Sequence, residues 1–327
     1  MKNLLLTTTS HATLKDFLAP FCEQVRVLEL QDDGTLKLDD QVVTTEQYPV
    51  HASWLSPDLI GSKTIRHLIQ QVTDATELEW MQTITAGLDA PFFKQVFDQG
   101  ARLTNSDAQA PAIAEYVVAS VLTHYQKFTE RAALQAQSKW QTTQFREIYG
   151  SRWLIVGFGN IGQRVGEIAK GFHADVTGIK RAVSDMPHCD RIITYADMSS
   201  HLPHADVVVL ACALTDDTRE LFNAETLALM KPDAVLVNIA RGGVVDEPAL
   251  VAALDQGRID HAVLDVFAKE PLPEHSPLWQ HPRVTLTPHS SNRGTGTNAR
   301  NLSLFQENLT AYLTDKPLRN LVNASYF

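Results

Sequence analysis

The sequence predicts an α/β protein with two doubly wound domains, and three observations lead to this prediction. Short β-rich runs alternate with helical patterns between residues 152 and 289. A glycine-rich turn follows the first of these runs and begins a helix. The chain has 327 residues, of which 44% are hydrophobic and 20% charged, which is enough for two domains that each bury a core.

Composition and charge exclude several classes of protein. The formal net charge is −10, which disfavours nucleic acid and acidic membranes as partners. No window approaches the roughly 18 unbroken apolar residues of a membrane span. The N-terminal "MKNLLLTTTS" is too short for the apolar core of a signal peptide, so we expect a soluble cytoplasmic protein. The three cysteines are far apart, and neither a disulfide framework nor a zinc site is indicated.

The strands of the second half are the clearest elements. Several runs consist almost entirely of Val, Ile and Leu, as in parallel strands buried on both faces. The runs are "RWLIVGFG", "ADVTGIK", "ADVVVLAC", "DAVLVNIA", "HAVLDVF" and "RVTLTPH". Helical segments such as "GQRVGEIAKGF" and "DEPALVAALDQGR" lie between them. This half is therefore predicted to be a doubly wound nucleotide-binding domain.

The first half predicts a second, smaller α/β unit. "NLLLTT", "QVRVLEL", "LEWMQTI" and "GARLTN" read as strands, with a helix in "HATLKDFLAPFCE". A long amphipathic helix follows in "PAIAEYVVASVLTHYQKF", with apolar residues at 113, 117, 121 and 125. The last helix, "LSLFQENLTAYL", comes after the final strand of the nucleotide domain. We expect the chain to cross back there and complete the first domain.

"VGFGNIG" has the G-x-G-x-x-G spacing, with Gly157, Gly159 and Gly162. The pattern alone is weak, but here it follows a strand and begins a helix. Glycines permit a tight turn and a close approach to a pyrophosphate, which the helix N-terminus then attracts. Gly157, Gly159, Asn160, Ile161 and Gly162 are therefore predicted cofactor-binding residues.

Lys180 and Arg181 stand at the carboxyl end of the second strand of this domain. NAD sites commonly place a carboxylate there for the ribose hydroxyls, but Asp175 lies at the opposite end of the strand. Two cations would instead attract a 2′-phosphate. We therefore predict a preference for NADP(H), with NAD(H) possible. In the alternative, both side chains are solvated or Arg181 stacks on the adenine, and the nearby Asp185 weakens the preference.

Polar residues follow three successive strands near the end of this domain. Arg241 follows "VNIA", Asp265 and Glu270 follow "AVL", and His289 follows "VTLTP". Ligands of open α/β sheets bind at the carboxyl ends of the strands. Each residue also has a purely structural interpretation, as a loop anchor, a strand cap, a turn residue or a surface histidine.

Three of these segments resemble the D-isomer-specific 2-hydroxyacid dehydrogenase family, and most closely its glyoxylate and hydroxypyruvate reductase branch. They are "NIARGGVVDEPALVAAL", "AVLDVFAKEPLP" and "SPLWQHPRVTLTPH". The resemblance implies two Rossmann-like domains, with the nucleotide-binding domain (109–292) inserted into a split, flavodoxin-like substrate domain (1–108 plus 293–327). It also implies a homodimer, and a catalytic triad of Arg241, Glu270 and His289, with Asp265 contacting the nicotinamide amide.

Elementary chemistry agrees with these roles. Arg241 offers a planar, permanently charged fork for the carboxylate of a small 2-keto acid. His289 can give a proton to the oxygen that hydride transfer leaves charged, or remove it when the 2-hydroxy acid is oxidised. Glu270 would orient the imidazole ring. The predicted function is the reduction of glyoxylate, hydroxypyruvate, phenylpyruvate or a similar acid.

Other segments supply candidate residues of lower specificity. "TAGLD" resembles the family's substrate loop, and Ala86 and Gly87 are the predicted substrate-binding residues. The cofactor channel is predicted to include Cys212, Thr218, Ile239 and Ala240. Trp54 and Tyr116 are candidates for pocket-lining residues of the first domain. "HLPH" (His201 and His204) has loose metal spacing but no acid cluster beside it, so we expect a surface loop and no metal site.

The main alternative to an enzyme is a cofactor-sensing binding protein, such as the corepressors that share this fold. Those proteins can retain the triad, although they tend to carry extra tails. Formate dehydrogenases resemble this chain but place Gln where Glu270 stands. Phosphoglycerate dehydrogenase is disfavoured because no room for a regulatory domain is expected after the last helix.

Overall fold

The computed structural model describes residues 1–326, which form two compact units. The first comprises Met1–Ala108 and the chain from Thr295 onward, and the second is Gln109–Gly294. Each unit contains one seven-stranded sheet flanked by helices. The predicted α/β class with two doubly wound, largely parallel sheets is therefore confirmed.

The sheet of the first unit has the strand order β4-β3-β2-β1-β5-β6-β7. Its strands are β1 (Lys2–Thr7), β2 (Val25–Leu30), β3 (Leu36–Leu38), β4 (Gln41–Val43), β5 (Ala52–Leu55), β6 (Trp80–Thr83) and β7 (Arg102–Thr104). At one edge, β3 runs antiparallel to both of its neighbours, β2 and β4, and forms a hairpin with β4, while the other strand pairs are parallel. The helices of this first stretch are α1 (Thr8–Leu18), α2 (Thr64–Asp74) and α3 (Pro91–Asp98).

The sheet of the second unit is parallel throughout, with the order β10-β9-β8-β11-β12-β13-β14. Its strands are β8 (Arg152–Val156), β9 (Asp175–Ile179), β10 (Arg191–Ile193), β11 (Val207–Leu210), β12 (Val235–Asn238), β13 (His261–Leu264) and β14 (Val284–Leu286). Successive strand residues point into two different cores. Leu236 belongs to the core that also contains Leu227 and Leu250, and Val237 to the core that also contains Val117 and Val165, which explains the unbroken apolar runs.

The helices of the second unit are α4 (Ala110–Tyr125), α5 (Phe128–Ala136), α6 (Asn160–Gly171), α7 (Met198–His201), α8 (Ala224–Ala228) and α9 (Glu247–Asp255). The four apolar residues predicted at i, i+4 spacing in α4 are all buried. After the second unit, α10 (Thr297–Leu313) returns to the first. There the Phe305 ring stacks on Trp54 and Trp80, with ring centroids 4.4 and 5.6 Å apart.

Several short elements differ from the sequence prediction. The patterns missed β5, β10 and the β3–β4 hairpin, because strands of three or four residues show little periodicity. Helix α1 begins earlier than expected, since the Thr7 side chain accepts a hydrogen bond from the Ser10 amide and caps it. Trp54 is 3% exposed in the core of the first unit.

Within residues 1–326, no helix is long and apolar enough to cross a bilayer. That part of the chain also contains no group of three or more His, Cys, Asp or Glu side chains that could hold a metal ion. His201 ends α7 and His204 lies in a short 3₁₀ turn, so the expectation of a loop at "HLPH" was wrong.

His261, the first residue of β13, is a buried histidine held in its neutral form. Its ring stacks on His124 at a centroid distance of 4.2 Å, and its Nε2 lies 2.9 Å from Thr285 Oγ1. Burial, followed by the neighbouring charge of His124, lowers the pKa of His261 to about 4. Since an unfolded histidine titrates near 6.5, the folded protein binds fewer protons than the unfolded chain between these two values.

Acidification should therefore remove stability through His261. The contribution is complete above about pH 6.5, is lost as the pH falls towards 4, and costs about 2 kcal/mol between pH 7 and 5. Between pH 7 and 5, the free energy of unfolding of His261→Gln should fall by about 2 kcal/mol less than that of the wild type. Urea unfolding at both pH values measures this difference. The exposed His204→Gln is the matched control and should keep the wild-type pH dependence. Identical pH dependence in His261→Gln would contradict the assignment.

Candidate active site

The glycine turn after β8 is shaped for a close backbone approach. Gly157 has φ +93°, and a Cβ there would lie 2.5 Å from the backbone nitrogen of Cys212. A Cβ on Gly162 would lie 2.3 Å from the Gly157 carbonyl oxygen. Gly159 is exposed with open space around it, and α6 begins at the next residue, Asn160. The turn thus leaves room for a phosphate group at the N-terminus of a twelve-residue helix.

Lys180 and Arg181 lie directly after the carboxyl end of β9. Lys180 is half-buried, with its Nζ 3.3 Å from the sulfur of Met186. Arg181 is exposed, and its charge opposes the rise that burial causes in the pKa of Tyr195. Asp185 is exposed in the same loop. Asp175 is the first residue of β9 and pairs with Arg191 at 3.4 Å, at the other end of the strand.

The loop after β11 lies beside the glycine turn. Cys212 is buried, and burial raises the pKa of its thiol to about 11. The Thr218 hydroxyl donates to the Ala213 carbonyl at 2.7 Å and accepts from the Thr215 amide at 2.8 Å. Thr218 therefore holds the loop together with its side chain. Its predicted contact with the cofactor stays a prediction.

Arg241 follows β12 and is positioned by Asn238. The Asn238 side chain accepts from the Ala240 amide and donates to the Arg241 carbonyl, both at 3.1 Å. The Arg241 guanidinium donates to the Ala240 carbonyl at 2.7 Å. Ile239 and Ala240 are buried, while Arg241 is half-exposed. The end of the strand thus projects one cation beyond an apolar edge.

Two contacts join the Arg241 loop to the segment after β13. A Cβ on Gly242 would lie 1.8 Å from the Phe267 carbonyl carbon, so only glycine permits this packing. The Glu247 carboxylate, at the start of α9, accepts from the Ala268 amide. These contacts account for Gly242 and Glu247 in the segment "ARGGVVDE".

Glu270 bridges its own loop and His289. One carboxylate oxygen accepts from the Phe267 amide at 3.0 Å, and the other lies 2.8 Å from His289 Nδ1. The His289 side chain is 44% exposed and the Glu270 side chain 36% exposed, so both are accessible to solvent or substrate. Nδ1 is occupied, which leaves Nε2 to meet a reacting group. The two side chains that were predicted to pair are therefore in contact, and their catalytic roles stay a prediction.

The backbone of His289 depends on Asp265. His289 has φ 48°, in the left-handed region that residues other than glycine rarely adopt. Its amide donates to the Asp265 carbonyl at 2.8 Å. The Asp265 carboxylate is 1% exposed and accepts from four groups: Thr287 Oγ1 at 2.6 Å, the Ser290 amide at 2.8 Å, the Ser291 amide at 3.1 Å and Ser291 Oγ at 2.5 Å. Asp265 therefore holds the whole segment that contains His289.

The sheet brings these residues to one edge. The last residue of β12, Asn238, pairs with Leu264 of β13, which pairs with Leu286 of β14. With strands about 4.8 Å apart, Arg241 and His289 leave strand ends separated by roughly 10 Å. The predicted cofactor residues follow β8, β9 and β11 at the same, carboxyl edge.

The loop with Ala86 and Gly87 belongs to the first unit and follows β6. Both residues are half-buried. The Ala86 carbonyl accepts from Asn105 Nδ2 at 2.9 Å and from the Tyr326 hydroxyl at 2.7 Å. This loop is therefore held from two sides, and its predicted role in substrate binding stays a prediction.

Sequence reasoning missed several residues that position the site. Glu247 and Thr287 had no role in the prediction, and Asn238 was expected only as part of the cofactor channel in "NIA". An asparagine that ends an otherwise apolar strand was a signal that could have identified Asn238, because a buried amide needs partners. Tyr116, which was expected in the first domain, lies in α4 of the second unit with its hydroxyl 2.8 Å from Thr287 Oγ1.

Known proteins share this architecture and sequence pattern. Residues 118–291 match the family model described as D-isomer specific 2-hydroxyacid dehydrogenase, NAD binding domain. A hydroxyphenylpyruvate reductase from Plectranthus scutellarioides is 32% identical over 247 residues, which are 74% of this chain and 77% of the relative. A glyoxylate reductase from Thermococcus onnurineus is 35% identical over 224 residues, 68% of this chain and 67% of the relative.

A solved structure from Aeromonas salmonicida subsp. salmonicida is similar over nearly the whole length. It is described as a D-isomer specific 2-hydroxyacid dehydrogenase family protein and is 27% identical, with a TM-score of 0.77. The match covers 98% of this chain and 99% of the other. The family model alone matches more than half of the chain, and the hydroxyphenylpyruvate reductase is covered over more than two thirds of its length. The protein therefore belongs to the D-isomer-specific 2-hydroxyacid dehydrogenase family.

Proposed function

We propose that this protein is an NADPH-preferring reductase of small 2-keto acids, with Arg241, Glu270 and His289 at its reaction centre. The observation that carries the proposal is the 2.8 Å contact between Glu270 and His289, at the sheet edge to which Arg241 also projects. The relatives named as glyoxylate and hydroxyphenylpyruvate reductases support a substrate of this class.

The glycine turn fits a dinucleotide. Gly159 is open and exposed where α6 presents its first amides, and a side chain at Gly157 or Gly162 would collide with backbone. Residues 157–162 would hold the pyrophosphate, with Cys212, Thr218, Ile239 and Ala240 beside the cofactor. When bound, the reduced nicotinamide supplies the hydride for the keto carbon. Asp265 would contact the nicotinamide amide, as the resemblance implies.

His289 handles the proton. Glu270 accepts a hydrogen bond from Nδ1, so the proton available to the substrate is carried by Nε2 of the imidazolium. That proton moves to the keto oxygen as it becomes a hydroxyl, and neutral imidazole remains. In the oxidation of a 2-hydroxy acid, the same nitrogen takes the proton back.

Arg241 binds the carboxylate of the substrate. Its guanidinium donates to the Ala240 carbonyl, and the planar fork of a guanidinium suits a bidentate pair with a carboxylate. In the first unit, Ala86 and Gly87 are the proposed substrate-binding residues, through their backbone. The second unit, which contains the glycine turn, is the proposed cofactor domain, and the first the substrate domain.

Lys180 and Arg181 are the basis of the proposed NADPH preference. Both follow β9 at the edge where a ribose 2′-phosphate would lie, and no carboxylate ends that strand. Arg181 is exposed, and Lys180 is only half-buried with a weak sulfur acceptor at its Nζ. The exposed Asp185 is the nearby charge that would oppose the preference.

The proposed reaction is tested by the absorbance decay of NADPH and NADH in the presence of glyoxylate, hydroxypyruvate, phenylpyruvate and phosphohydroxypyruvate. We expect fast decay with at least one unphosphorylated acid, and a higher kcat/KM with NADPH. Turnover of phosphohydroxypyruvate alone would instead assign a phosphoglycerate dehydrogenase. Cofactor binding without any turnover would favour the cofactor-sensing alternative.

Neutralising the two cations tests the cofactor assignment. We expect Lys180→Gln/Arg181→Gln to weaken NADPH binding by about tenfold or more, because charge-assisted bonds to the phosphate are lost, and to change NADH binding by less than about threefold. Fluorescence titration of each reduced cofactor gives both dissociation constants. Arg191→Gln, at the opposite end of the neighbouring strand, is the matched control. Equal weakening of both cofactors would show that the cations do not recognise the phosphate.

Removing the proton donor tests the catalytic assignment. We expect His289→Asn to lower kcat by about 10²–10⁴-fold, the usual contribution of a positioned acid, with an unchanged Kd for NADPH. Glu270→Gln should give a smaller loss, because an amide oxygen can accept from only one of the two groups that the carboxylate now bridges. The exposed His275→Asn is the control and should retain wild-type kcat. Wild-type kcat in His289→Asn would remove it from the mechanism.

A homodimer is the assembly that we propose. Helix α5 has no buried residue, although isolated helices of nine residues are unstable in water. Large apolar side chains are exposed along this helix and the segment after it, namely Phe128 (55%), Trp140 (101%), Phe145 (47%) and Tyr149 (73%). Such a patch marks an interface, and a second copy of the chain is the partner that the family resemblance implies.

Size-exclusion chromatography with light scattering tests the homodimer. We expect the wild type to elute at twice the mass of one chain, and Trp140→Ser/Phe145→Ser to shift towards the monomer through loss of apolar contact. Phe172→Ser, an exposed aromatic at the end of α6, is the control and should remain dimeric. A monomeric wild type would refute the proposal.

A further inference from the structure

We propose that Tyr116 and Thr287 are positioning residues for the reaction, which hold His289 in place through the carboxylate of Asp265. The Thr287 carbonyl accepts from the His289 amide at 3.0 Å, while the Thr287 and Tyr116 hydroxyls reach the His289 segment through Asp265. Tyr116 lies in the middle of α4, and Thr287 follows β14 two residues before His289. The expected effect on catalysis rests on the proposed function. The anchor, meaning the hold of Tyr116 and Thr287 on Asp265, rests on the structure alone.

The three side chains form a line of hydrogen bonds. The Tyr116 hydroxyl lies 2.8 Å from Thr287 Oγ1, and Thr287 Oγ1 lies 2.6 Å from Asp265 Oδ1. A carboxylate oxygen accepts, so the Thr287 hydroxyl donates to Asp265. The same hydroxyl group also lies within hydrogen-bond distance of the Tyr116 oxygen. Thr287 Oγ1 therefore connects helix α4 with the Asp265 carboxylate.

The surroundings of Tyr116 hold its side chain in place. Its hydroxyl remains protonated, because burial raises its pKa. Ser120, one turn later on the same helix, forms a second side-chain hydrogen bond with this hydroxyl. Val117 and Val121, which follow Tyr116 in helix α4, are fully buried.

The hydrogen bonds between Tyr116, Thr287 and Asp265 control the segment after β14. Asp265 receives the Ser290 and Ser291 amides on its carboxylate and the His289 amide on its carbonyl. His289 adopts φ 48°, a conformation that costs energy and persists only where surrounding contacts impose it. Without the Thr287 proton, the buried carboxylate would lose one of four donors and could turn away from those amides. The imidazole would then meet Glu270 less often, although Glu270 itself is untouched.

The chain offers a matched pair of threonines for the test. Thr285 lies two residues before Thr287, at the same side of the strand, and its hydroxyl contacts His261 instead of Asp265. Thr287→Val and Thr285→Val thus each remove one hydroxyl from the same stretch of chain. The first hydroxyl contacts Asp265 and the second contacts His261. Thr287→Ser keeps the hydroxyl at residue 287. Tyr116→Phe removes only the Tyr116 hydroxyl, which contacts Thr287 Oγ1.

In the full-length protein with NADPH, we expect Thr287→Val to lower kcat about tenfold, with KM for the keto acid and Kd for NADPH changed by less than about twofold. Thr287→Ser should restore kcat to within about threefold of wild type, and Thr285→Val should keep it. Tyr116→Phe should lower kcat by a smaller factor, and it serves as the second variant if Thr287→Val does not fold.

Hydrogen–deuterium exchange of the segment 284–294 tests the anchor without any turnover. Faster exchange in Thr287→Val, but not in Thr285→Val, supports the inference. Wild-type exchange and wild-type kcat in both Thr287→Val and Tyr116→Phe would overturn it, as would a raised KM with unchanged kcat. If the wild type reduces no keto acid, the proposed function fails alone, and the exchange result still decides the anchor.

Discussion

The buried carboxylate of Asp265 is the constraint on which the carboxyl edge of the second sheet depends. A carboxylate that is 1% exposed is unfavourable unless its oxygens are hydrogen-bonded, and here four donors from residues 287–291 supply those bonds. The same bonds bend the chain after β14 so tightly that His289 takes a left-handed conformation. One residue at the end of β13 therefore determines where the next strand places its histidine.

The glycines of this edge act through close contacts more than through flexibility. At Gly157 and Gly242, the missing Cβ lets one loop lie directly against the backbone of the next, at Cys212 and Phe267 respectively. The first contact brings the turn after β8 against the end of β11. The second fixes the Arg241 loop to the segment that carries Glu270. Backbone packing between neighbouring loops thus fixes the position of each loop along the sheet edge relative to the next.

Much of this could be predicted from sequence because it depends on local patterns. The long apolar runs identified the central strands, and the glycine spacing, the triad residues and the cations after β9 could each be read from short segments. The edge strand β10 and the β3–β4 hairpin could not, since three-residue strands leave too few positions for a periodic signal. The roles of Tyr116 and Thr287 depend on a contact across 171 residues of sequence, which no local pattern contains.

Asp265 and Glu270 show how two carboxylates at one sheet edge can take different tasks. Asp265 directs its oxygens to four donors in a buried site. Glu270 is 36% exposed and makes one backbone bond and one bond to a titratable ring. The first arrangement suits a group that fixes the backbone, because each of its bonds stabilises the conformation of the segment. The second would suit a group whose partner changes charge during a reaction, because solvent and a single amide can accommodate that change. The environment of each carboxylate, and not its chemical type, therefore distinguishes Asp265 from Glu270 at this edge.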